Sequence, residues 1–575
     1  MLLSPTEKLA GLGVVLFLIV VVTWSLTVAI AALQGGTVSL VSFGAAILLV
    51  LAVLATITLL ARSHLRRSRR SRAPLGMATK AEVKAQSGAK RARAKAAHLR
   101  PSLAEKVAGA PLDEIALYLG DAVGGIAMYA TLEDQGVVTG KTGAGKEIYF
   151  VVRMALSAPG PVVVTTTRAG VLDVIAAKRS EKGRVWVFDP LNLAHWPDKM
   201  VWDPIDGAEK DTVARARGRA FVAALGTRDG RGNDEFFKET SGAAIQYMVH
   251  AAALARHAGE ALTIRDVAGW AMRLDNGAEL PRRIIERSCH PRAEKLWAEM
   301  LKSVATGADD TVASTRVTLR GALDAISSGS VLNVLVPRKG ASTFSPREFV
   351  QSRDTLVLIA DANALTNVAP LTTMLLQEVW DVAKEVARDK PNGRLDPPMR
   401  IVGDEICNVA PVEKLPEMTT DARGYGIQIV TFIQAGAQLV ARYGRERAET
   451  LLAQAGFEIL LPGSKDWDTL DRYSKLLGSV DVAESTISTS SEGSRQSASY
   501  SMRDHRVLRP EEVRKLSGDG SALLVPAIGE AVMLELTPWF KAPDGDELSE
   551  DARRTGDHRA AQALLEAEAE KARGQ

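Results

Sequence analysis

The chain has 575 residues, 46% of them hydrophobic and 24% charged, and its 71 Lys and Arg nearly balance its 68 Asp and Glu. This length excludes a single hydrophobic core, so several domains are expected, and the composition is that of a globular protein with an additional apolar segment. Two cysteines, Cys289 and Cys407, are too far apart for a metal-ligand or disulfide pattern, which favours a reducing, cytoplasmic compartment. We expect both to be small buried residues.

The first 61 residues are expected to form a transmembrane hairpin. Two apolar runs, at 9–33 and 40–61, each have at least the ~20 residues that a membrane-spanning helix needs. A cleaved signal peptide does not fit, because the first run is too long and the second follows at once. The basic cluster at 62–72, together with Lys8, predicts a multi-pass protein of the inner membrane whose N-terminus and main body lie in the cytoplasm.

Residues 62–110 form a basic juxtamembrane linker, rich in Ala and Ser and with little apolar periodicity. Its cations suit contact with anionic headgroups, which makes membrane lipid the first expected partner. The alternative is a contact with nucleic acid that passes near the membrane.

A glycine-rich loop follows the apolar pair Val137 and Val138 and precedes an apolar, helix-like stretch at 148–156. The loop consists of Gly140, Lys141, Thr142, Gly143, Ala144, Gly145, Lys146 and Glu147. Its glycines let successive backbone N–H groups face one phosphate, and Lys146 reaches the outer phosphates of a nucleotide such as ATP. A glycine-rich turn without a ligand is the alternative. A phosphate loop ordinarily ends in Ser or Thr, whose hydroxyl ligates Mg²⁺, so Glu147 leaves binding intact but puts hydrolysis in question.

Beyond this loop, strand-like and helix-like stretches alternate. Apolar runs at 160–167 and 184–190 flank a helical stretch, which predicts a parallel sheet with crossover helices. We therefore expect an α/β nucleotide-binding domain at 111–210 and 336–543. Helical spacing between these segments predicts an all-α domain inserted at 211–335. The Ser/Thr-rich run at 485–501 suits either a solvated hairpin or a disordered loop, and the charged C-terminal tail at 544–575 suits a frayed, exposed helix.

Acidic and amide side chains stand where later strands of the α/β domain end. Asp404 and Glu405 follow the strand-like stretch at 400–403, which Arg400 and Gly403 make less uniformly apolar than a buried strand usually is. Asp404 is expected to hold Mg²⁺ and Glu405 to polarise the attacking water. Asp361 competes for the metal, although no carboxylate follows it. Gln434, at the tip of the next strand, is placed to sense the γ-phosphate. The alternatives are a strand-end turn for the acidic pair and a surface position for the glutamine.

Together these motifs resemble the coupling ATPases of type IV secretion systems, the TraG/TraD-type proteins of conjugation, from the N-terminal anchor to about residue 543. The resemblance implies a RecA-like P-loop ATPase core arranged as a homo-hexameric ring. It also implies partners: single-stranded DNA with its relaxase or an effector protein, and the channel proteins that receive them. Arg423 matches the place of an arginine finger supplied by the neighbouring subunit, or else is a solvated loop arginine, and Arg316 is a weaker candidate for nucleotide or partner contact.

Three functions remain open at this point. The first is an ATP-driven motor that feeds DNA or protein to a secretion channel. The second is a docking receptor of the same system that binds nucleotide but hydrolyses it poorly, because Glu147 replaces the magnesium-binding hydroxyl. The third is a membrane-bound translocase of double-stranded DNA, which is less favoured because the C-terminal region has no winged-helix-like module. The presence of Asp404, Glu405, Gln434 and Arg423 favours the motor.

Overall fold

The computed structural model describes residues 76–573, except 87, 123, 224, 226–232, 339, 362–366, 490–495 and 517–519. The predicted transmembrane hairpin at 1–61 lies outside the described residues. Across the described ranges, no helix has both the length and the apolar character that a bilayer crossing requires. On the part of the chain that the structure describes, the prediction of a multi-pass inner-membrane protein is therefore wrong.

Fifteen strands are seen among the described residues, and they form three sheets. In chain order they are β1 (Ala116–Ala122), β2 (Ile126–Thr131), β3 (Gly136–Thr139), β4 (Val162–Thr166), β5 (Val185–Phe188), β6 (Met200–Val201), β7 (Ser342–Thr343), β8 (Thr355–Ile359), β9 (Met399–Asp404), β10 (Ile427–Ile433), β11 (Phe457–Leu460), β12 (Ser479–Thr489), β13 (Gln496–Arg506), β14 (Ser521–Pro526) and β15 (Val532–Glu535). The main sheet has the order β2-β1-β15-β14-β11-β3-β10-β9-β4-β8-β5.

The α-helices of the described residues connect and cover these strands. In chain order they are α1 (Lys80–Gln86), α2 (Ala89–Leu99), α3 (Val152–Leu156), α4 (Gly170–Ser180), α5 (Asp211–Ala223), α6 (Asn233–His257), α7 (Ile264–Met272), α8 (Leu274–Gly277), α9 (Glu279–Arg287), α10 (Leu296–Ala305), α11 (Asp309–Leu323), α12 (Gly329–Leu335), α13 (Pro346–Phe349), α14 (Ala369–Arg388), α15 (Ile406–Val409), α16 (Leu415–Tyr425), α17 (Gly436–Tyr443), α18 (Arg445–Ala453), α19 (Trp467–Leu476), α20 (Pro510–Arg514) and α21 (Gly545–Arg573).

The centre of the main sheet is parallel and covered on both faces. Strands β11, β3, β10, β9, β4, β8 and β5 run parallel to their neighbours in this part of the sheet. Every residue of β4, β8, β9 and β10 is buried, as expected for strands with helices on both sides. Val164 packs in one hydrophobic core with α3 and α4, whereas its neighbour Val163 packs in the other with α14 and α16. The result is a three-layer α/β domain, which confirms the predicted fold class in this part of the chain.

Helices α5 to α12 interrupt the α/β domain between two short strands. The chain leaves at β6 and returns at β7, and these strands pair in parallel, Met200 with Ser342 and Val201 with Thr343. Buried polar contacts fasten this helical part to α14. Arg217 donates to Glu378 at 2.7 Å, and the indole of Trp202 donates to the same carboxylate at 3.0 Å.

The C-terminal tail is not the frayed helix that its composition suggested. Helix α21 packs along α4, where Leu548 is fully buried and Arg559 donates to both carboxylate oxygens of Asp173 at 2.6 and 2.7 Å. Glu566 accepts from Lys199 at 2.6 Å and lies 2.8 Å from His195 Nδ1. Some of the charges in the tail therefore pair with the body of the protein, while others pair within the helix.

The structure also decides two smaller expectations, one on the Ser/Thr-rich run and one on the cysteines. The Ser/Thr-rich run belongs to the antiparallel hairpin of β12 and β13, so the hairpin alternative is the correct one for its described residues. Cys407 is buried, but Cys289 is exposed, so its predicted burial is wrong.

Candidate nucleotide-binding site

The phosphate loop connects β3 to the helical segment that follows it, at the carboxyl ends of the parallel strands. Gly143 and Gly145 have φ values of +78° and +87°, which L side chains rarely adopt. A Cβ on Gly145 would also lie 2.6 Å from the Tyr149 ring. Two of the loop glycines are thus required by the backbone path, which turns the loop into a concave cradle of the kind that binds anions.

Lys146 is the buried cation of this loop. Its Nζ donates to the backbone oxygen of Gly140 at 2.7 Å, which folds the side chain back over the loop. Burial lowers its pKa, while the negative charges of Asp404 and Glu405 act in the opposite direction. An anionic ligand would relieve the cost of burying this charge.

Glu147 begins a π-helical turn, Glu147–Val151, ahead of α3. Its side chain is half-buried and lines the pocket. Burial raises the pKa of its carboxyl, and the charge of Arg168 opposes that rise. A carboxylate therefore stands where a phosphate loop ordinarily has a hydroxyl, and π-helical turns occur often at functional sites.

Strand β9 brings the acidic pair to the same edge. Asp404 is buried, its Oδ1 has no hydrogen-bond partner among the described residues, and Thr165 Oγ1 donates to its backbone oxygen at 2.7 Å. Burial raises the pKa of Asp404 to about 7, although Lys146 acts to lower it. Glu405 has a φ of +49°, a left-handed conformation that costs free energy in a residue other than glycine and is found mostly at functional sites.

Gln434 directly follows β10 and also lines the pocket. Its backbone N–H donates to Gln438 Oε1 at 3.1 Å. Two residues on, the N–H of Gly436 donates to Thr469 Oγ1 at 3.1 Å, and Thr469 donates to Asp466 at 2.5 Å. The turn that carries the predicted phosphate sensor is therefore fastened to α19.

Lys146, Glu147, Asp404, Glu405 and Gln434 line one cavity of about 870 Å³. Its lining residues are Lys141, Thr142, Gly143, Gly145, Lys146, Glu147, Ile148, Thr166, Thr167, Arg168, Asp361, Asp404, Glu405, Asn408 and Gln434. The sequence reasoning gave no role to Thr166, Thr167, Arg168 or Asn408. Their signal is positional: Thr166 ends β4, Thr167 and Arg168 follow it, and Asn408 comes four residues after β9. The carboxyl ends of such parallel strands meet at one edge of the sheet.

The structure does not bring Arg423 or Arg316 to this cavity. Arg423 lies in the last turn of α16, ahead of β10 and at the opposite edge of the sheet, and its Nη2 lies 3.0 Å from Glu133 Oε1. That position neither tests nor contradicts a role at a neighbouring subunit, so the arginine-finger assignment stays a prediction. Arg316 lies in α11, 3.5 Å from Asp275.

The residues at the cavity fit Mg²⁺ only as part of a nucleotide complex. Asp404 offers a buried oxygen that lacks a partner among the described residues, and carboxylates are suitable ligands for this ion. Within the described ranges, however, no group of three or more His, Cys, Asp or Glu side chains is arranged to hold a metal by itself. Mg²⁺ commonly binds through one or two carboxylates, phosphate oxygens and water, and this set of residues suits that mode.

Comparison with known proteins agrees with this geometry. Residues 89–560 match the model of a family described as type IV secretory system conjugative DNA transfer. The conjugal transfer protein TraG of Rhizobium radiobacter is 22% identical over 431 residues, which are 71% of this chain and 62% of TraG. The chain therefore spans less than two thirds of the length of this curated relative.

Solved structures of the bacterial conjugative coupling protein TrwB have the same fold. An unbound form of TrwB lacking its N-terminal segment has a TM-score of 0.52 at 18% identity and aligns over 73% of this chain and 88% of that one. The complex of TrwB with a non-hydrolysable ATP analogue has the same TM-score and identity, over 73% of this chain and 89% of that one. A third structure holds TrwB with ADP and Mg²⁺, at a TM-score of 0.50, 18% identity and the same coverage.

Proposed function

The chain belongs to the type IV secretory system conjugative DNA transfer family, and from that premise we propose that it is the nucleotide-driven coupling protein of such a system. In this proposal it binds ATP with Mg²⁺, hydrolyses it, and passes a relaxase–single-stranded DNA complex or a protein substrate to the channel proteins. The working unit is a homo-hexameric ring. The observation that carries the proposal is the single cavity in which the phosphate loop meets Asp404, Glu405 and Gln434.

Binding of the phosphates follows from the loop. Its positive-φ glycines turn backbone N–H groups into the cradle, and Lys146 exchanges the backbone oxygen of Gly140 for a phosphate oxygen. The bound complexes of TrwB with an ATP analogue and with ADP and Mg²⁺ support nucleotide as the ligand class.

Hydrolysis is assigned to the strand ends. Glu405 orients the attacking water and accepts its proton, and Asn408 holds that carboxylate, since its Nδ2 lies 3.5 Å from Glu405 Oε2. Gln434 contacts the γ-phosphate and relays its loss to α19 through the turn at Gly436. When bound, Mg²⁺ would stabilise the negative charge of the nucleotide phosphates, and Asp404 is the residue that would hold it.

Arg423 serves in this proposal at the cavity of the adjacent subunit. Its position at the opposite edge of the sheet and its exposure suit action on a neighbour, because its own phosphate loop is at the other edge. The ion pair with Glu133 would have to open for the guanidinium to reach a γ-phosphate.

A second function, the docking receptor that hydrolyses nucleotide poorly, is favoured by one observation. Glu147 places a half-buried carboxylate where the magnesium-binding hydroxyl ordinarily stands. The two functions differ in turnover and share nucleotide binding.

The deciding experiment is ATP turnover by the full chain, with and without single-stranded DNA, alongside Glu405→Gln and Glu147→Thr. A motor is expected to turn over ATP, to be stimulated by DNA, and to lose about 100-fold or more in Glu405→Gln while its affinity for ATP stays unchanged. Turnover in Glu147→Thr but not in the native chain would instead identify the receptor. Native turnover that survives Glu405→Gln would overturn the role given to Glu405.

A further inference from the structure

The carboxylate of Glu147 faces the start of α4. Its Oε1 lies 3.3 Å from the position that a Cβ on Gly170 would occupy, so the side chain lies against the first residue of that helix. Among the described residues, no ion pair or side-chain hydrogen bond is made by Glu147. A half-buried carboxylate beside a phosphate cradle is unfavourable unless another group balances its charge.

Arg168 is the cation nearest in sequence to Gly170. It follows β4, two residues before Gly170, and lines the same cavity as Glu147. Thr166 fixes the turn that carries it: Thr166 Oγ1 donates to the Arg168 oxygen at 3.0 Å and accepts from its N–H at 3.2 Å. Burial raises the pKa of the Glu147 carboxyl, and the positive charge of Arg168 acts in the opposite direction.

The guanidinium of Arg168 is exposed, and within the described ranges it has no ion pair and no side-chain hydrogen bond. The other two cations of the cavity are placed differently. Lys146 donates to Gly140, and the Lys141 side chain lies against Gly463, with its Cε 3.1 Å from where a Cβ on that glycine would be. Of the three cavity cations, Arg168 is thus the one in the turn that leads to Gly170, the residue that Glu147 Oε1 approaches.

We propose that Arg168 is the counter-charge of Glu147, and that this pair replaces the Ser or Thr with which a phosphate loop ordinarily ends. The guanidinium balances the extra carboxylate charge beside the phosphates, so the loop keeps its affinity for nucleotide although the hydroxyl is lost. This inference rests on the proposed nucleotide binding. In this inference Arg168 supports the affinity for nucleotide only while Glu147 carries its negative charge.

A double-mutant cycle on the full chain tests the pair. The affinity for a fluorescent N-methylanthraniloyl ATP is measured with and without Mg²⁺ in the native protein, Glu147→Gln, Arg168→Gln and the double variant. We expect Arg168→Gln to weaken binding by about tenfold in the native background but by no more than about twofold beside Glu147→Gln. Arg168→Lys, which keeps the charge, is expected to bind within about threefold of the native chain.

Lys141→Gln is the matched control, because it removes one positive charge from the same cavity. Its effect on affinity is expected to be the same in the native background and beside Glu147→Gln. The inference is overturned if the effects of Arg168→Gln and Glu147→Gln simply add, or if Lys141→Gln shows the same coupling. A native chain that binds no nucleotide would overturn the proposed function and this inference together, whereas additive effects in a binding-competent chain would remove only the inference.

Discussion

Buried charged groups have hydrogen-bond partners at the edge of the main sheet where the parallel strands begin, but some lack them at the edge where the strands end. At the edge where the strands begin, Arg179 is fully buried and donates to the backbone oxygens of Ala158 and Gly160 and to Thr355 Oγ1 at 2.7 to 3.2 Å. It also donates to the Arg353 oxygen at 2.8 Å. This guanidinium has a structural role, because it donates to backbone oxygens that would otherwise be buried without a hydrogen-bond partner.

At the edge where the strands end, polar groups are left without protein partners among the described residues. Asp404 Oδ1 is buried and lacks a hydrogen bond, and Glu405 holds a left-handed backbone. The first edge is built for stability, and the second is built for a ligand. The division is not complete, since Arg400, near the start of β9, leaves its Nη2 without a partner in the described structure.

The largest expected effect is a loss of stability when Arg179 is removed from the first edge. Arg179→Met should lower the free energy of unfolding by about 3 to 5 kcal/mol, because several buried backbone oxygens would lose their donor. Urea unfolding measures this loss. Arg353→Met, which removes an exposed neighbouring arginine, is the control and should cost less than about 1 kcal/mol. Equal losses in the two variants would contradict the architectural role of Arg179.

The next effect separates function from stability at the second edge. Lys146→Ala should reduce ATP turnover by about 100-fold or more, because the outer phosphates lose their cation. The urea midpoint should change little, since the side chain donates within the described residues only to Gly140. A variant that unfolds much more easily than the native chain would mean that Lys146 belongs to the architecture instead.

Asp404→Asn should raise the free energy of unfolding, whereas Arg179→Met at the first edge should lower it. Because the pKa of Asp404 is raised to about 7 from 3.8, the protonated form is favoured in the folded chain. The protonated Asp404 carboxyl contributes fully to the free energy of unfolding below about pH 4, and this contribution is lost as the pH rises through about 7. We therefore expect Asp404→Asn to stabilise the nucleotide-free protein by about 1 to 3 kcal/mol at pH 8 and by less at pH 5.

Urea unfolding at the two pH values, without nucleotide or Mg²⁺, checks this sign. An Asp404→Asn variant that is less stable than the native chain at pH 8 would show that the carboxylate is satisfied in the folded protein.

The smallest expected effect concerns the support of Glu405. Asn408→Ala should lower turnover by about threefold to tenfold and leave the affinity for ATP unchanged, because the amide only orients the carboxylate. Stopped-flow and equilibrium binding on the same preparation separate the two quantities. A loss of affinity for ATP without a loss of turnover would show that Asn408 contacts the nucleotide and does not position the water.

The glycine loop and the acidic strand end could be predicted because their patterns are local. A loop of fixed spacing after Val137 and Val138, and an acidic pair after an apolar strand, are visible in a few consecutive residues. The α/β fold class followed from the alternation of strands and helices in the same way.

Other features could not be predicted because they depend on strand order. Arg168 and Asn408 reach the cavity only because β4, β9, β10 and β3 lie side by side. Arg400 interrupts the apolar pattern of its strand, yet it is buried and donates to the Met154 oxygen and to Gln428 Oε1. The packing of the charged tail could not be predicted, because its partners, such as Asp173, belong to a helix far earlier in the chain.

The pairing of β6 with β7 has an evolutionary consequence. The N–H of Phe344 donates to the Val201 oxygen at 2.8 Å, so the chain re-enters the sheet domain beside the point at which it left. A segment whose two ends are neighbours can be gained, lost or exchanged by recombination in one event, without a change in the order of the flanking strands. The segment from α5 to α12 can therefore change as one unit, while the order of the parallel strands stays the same.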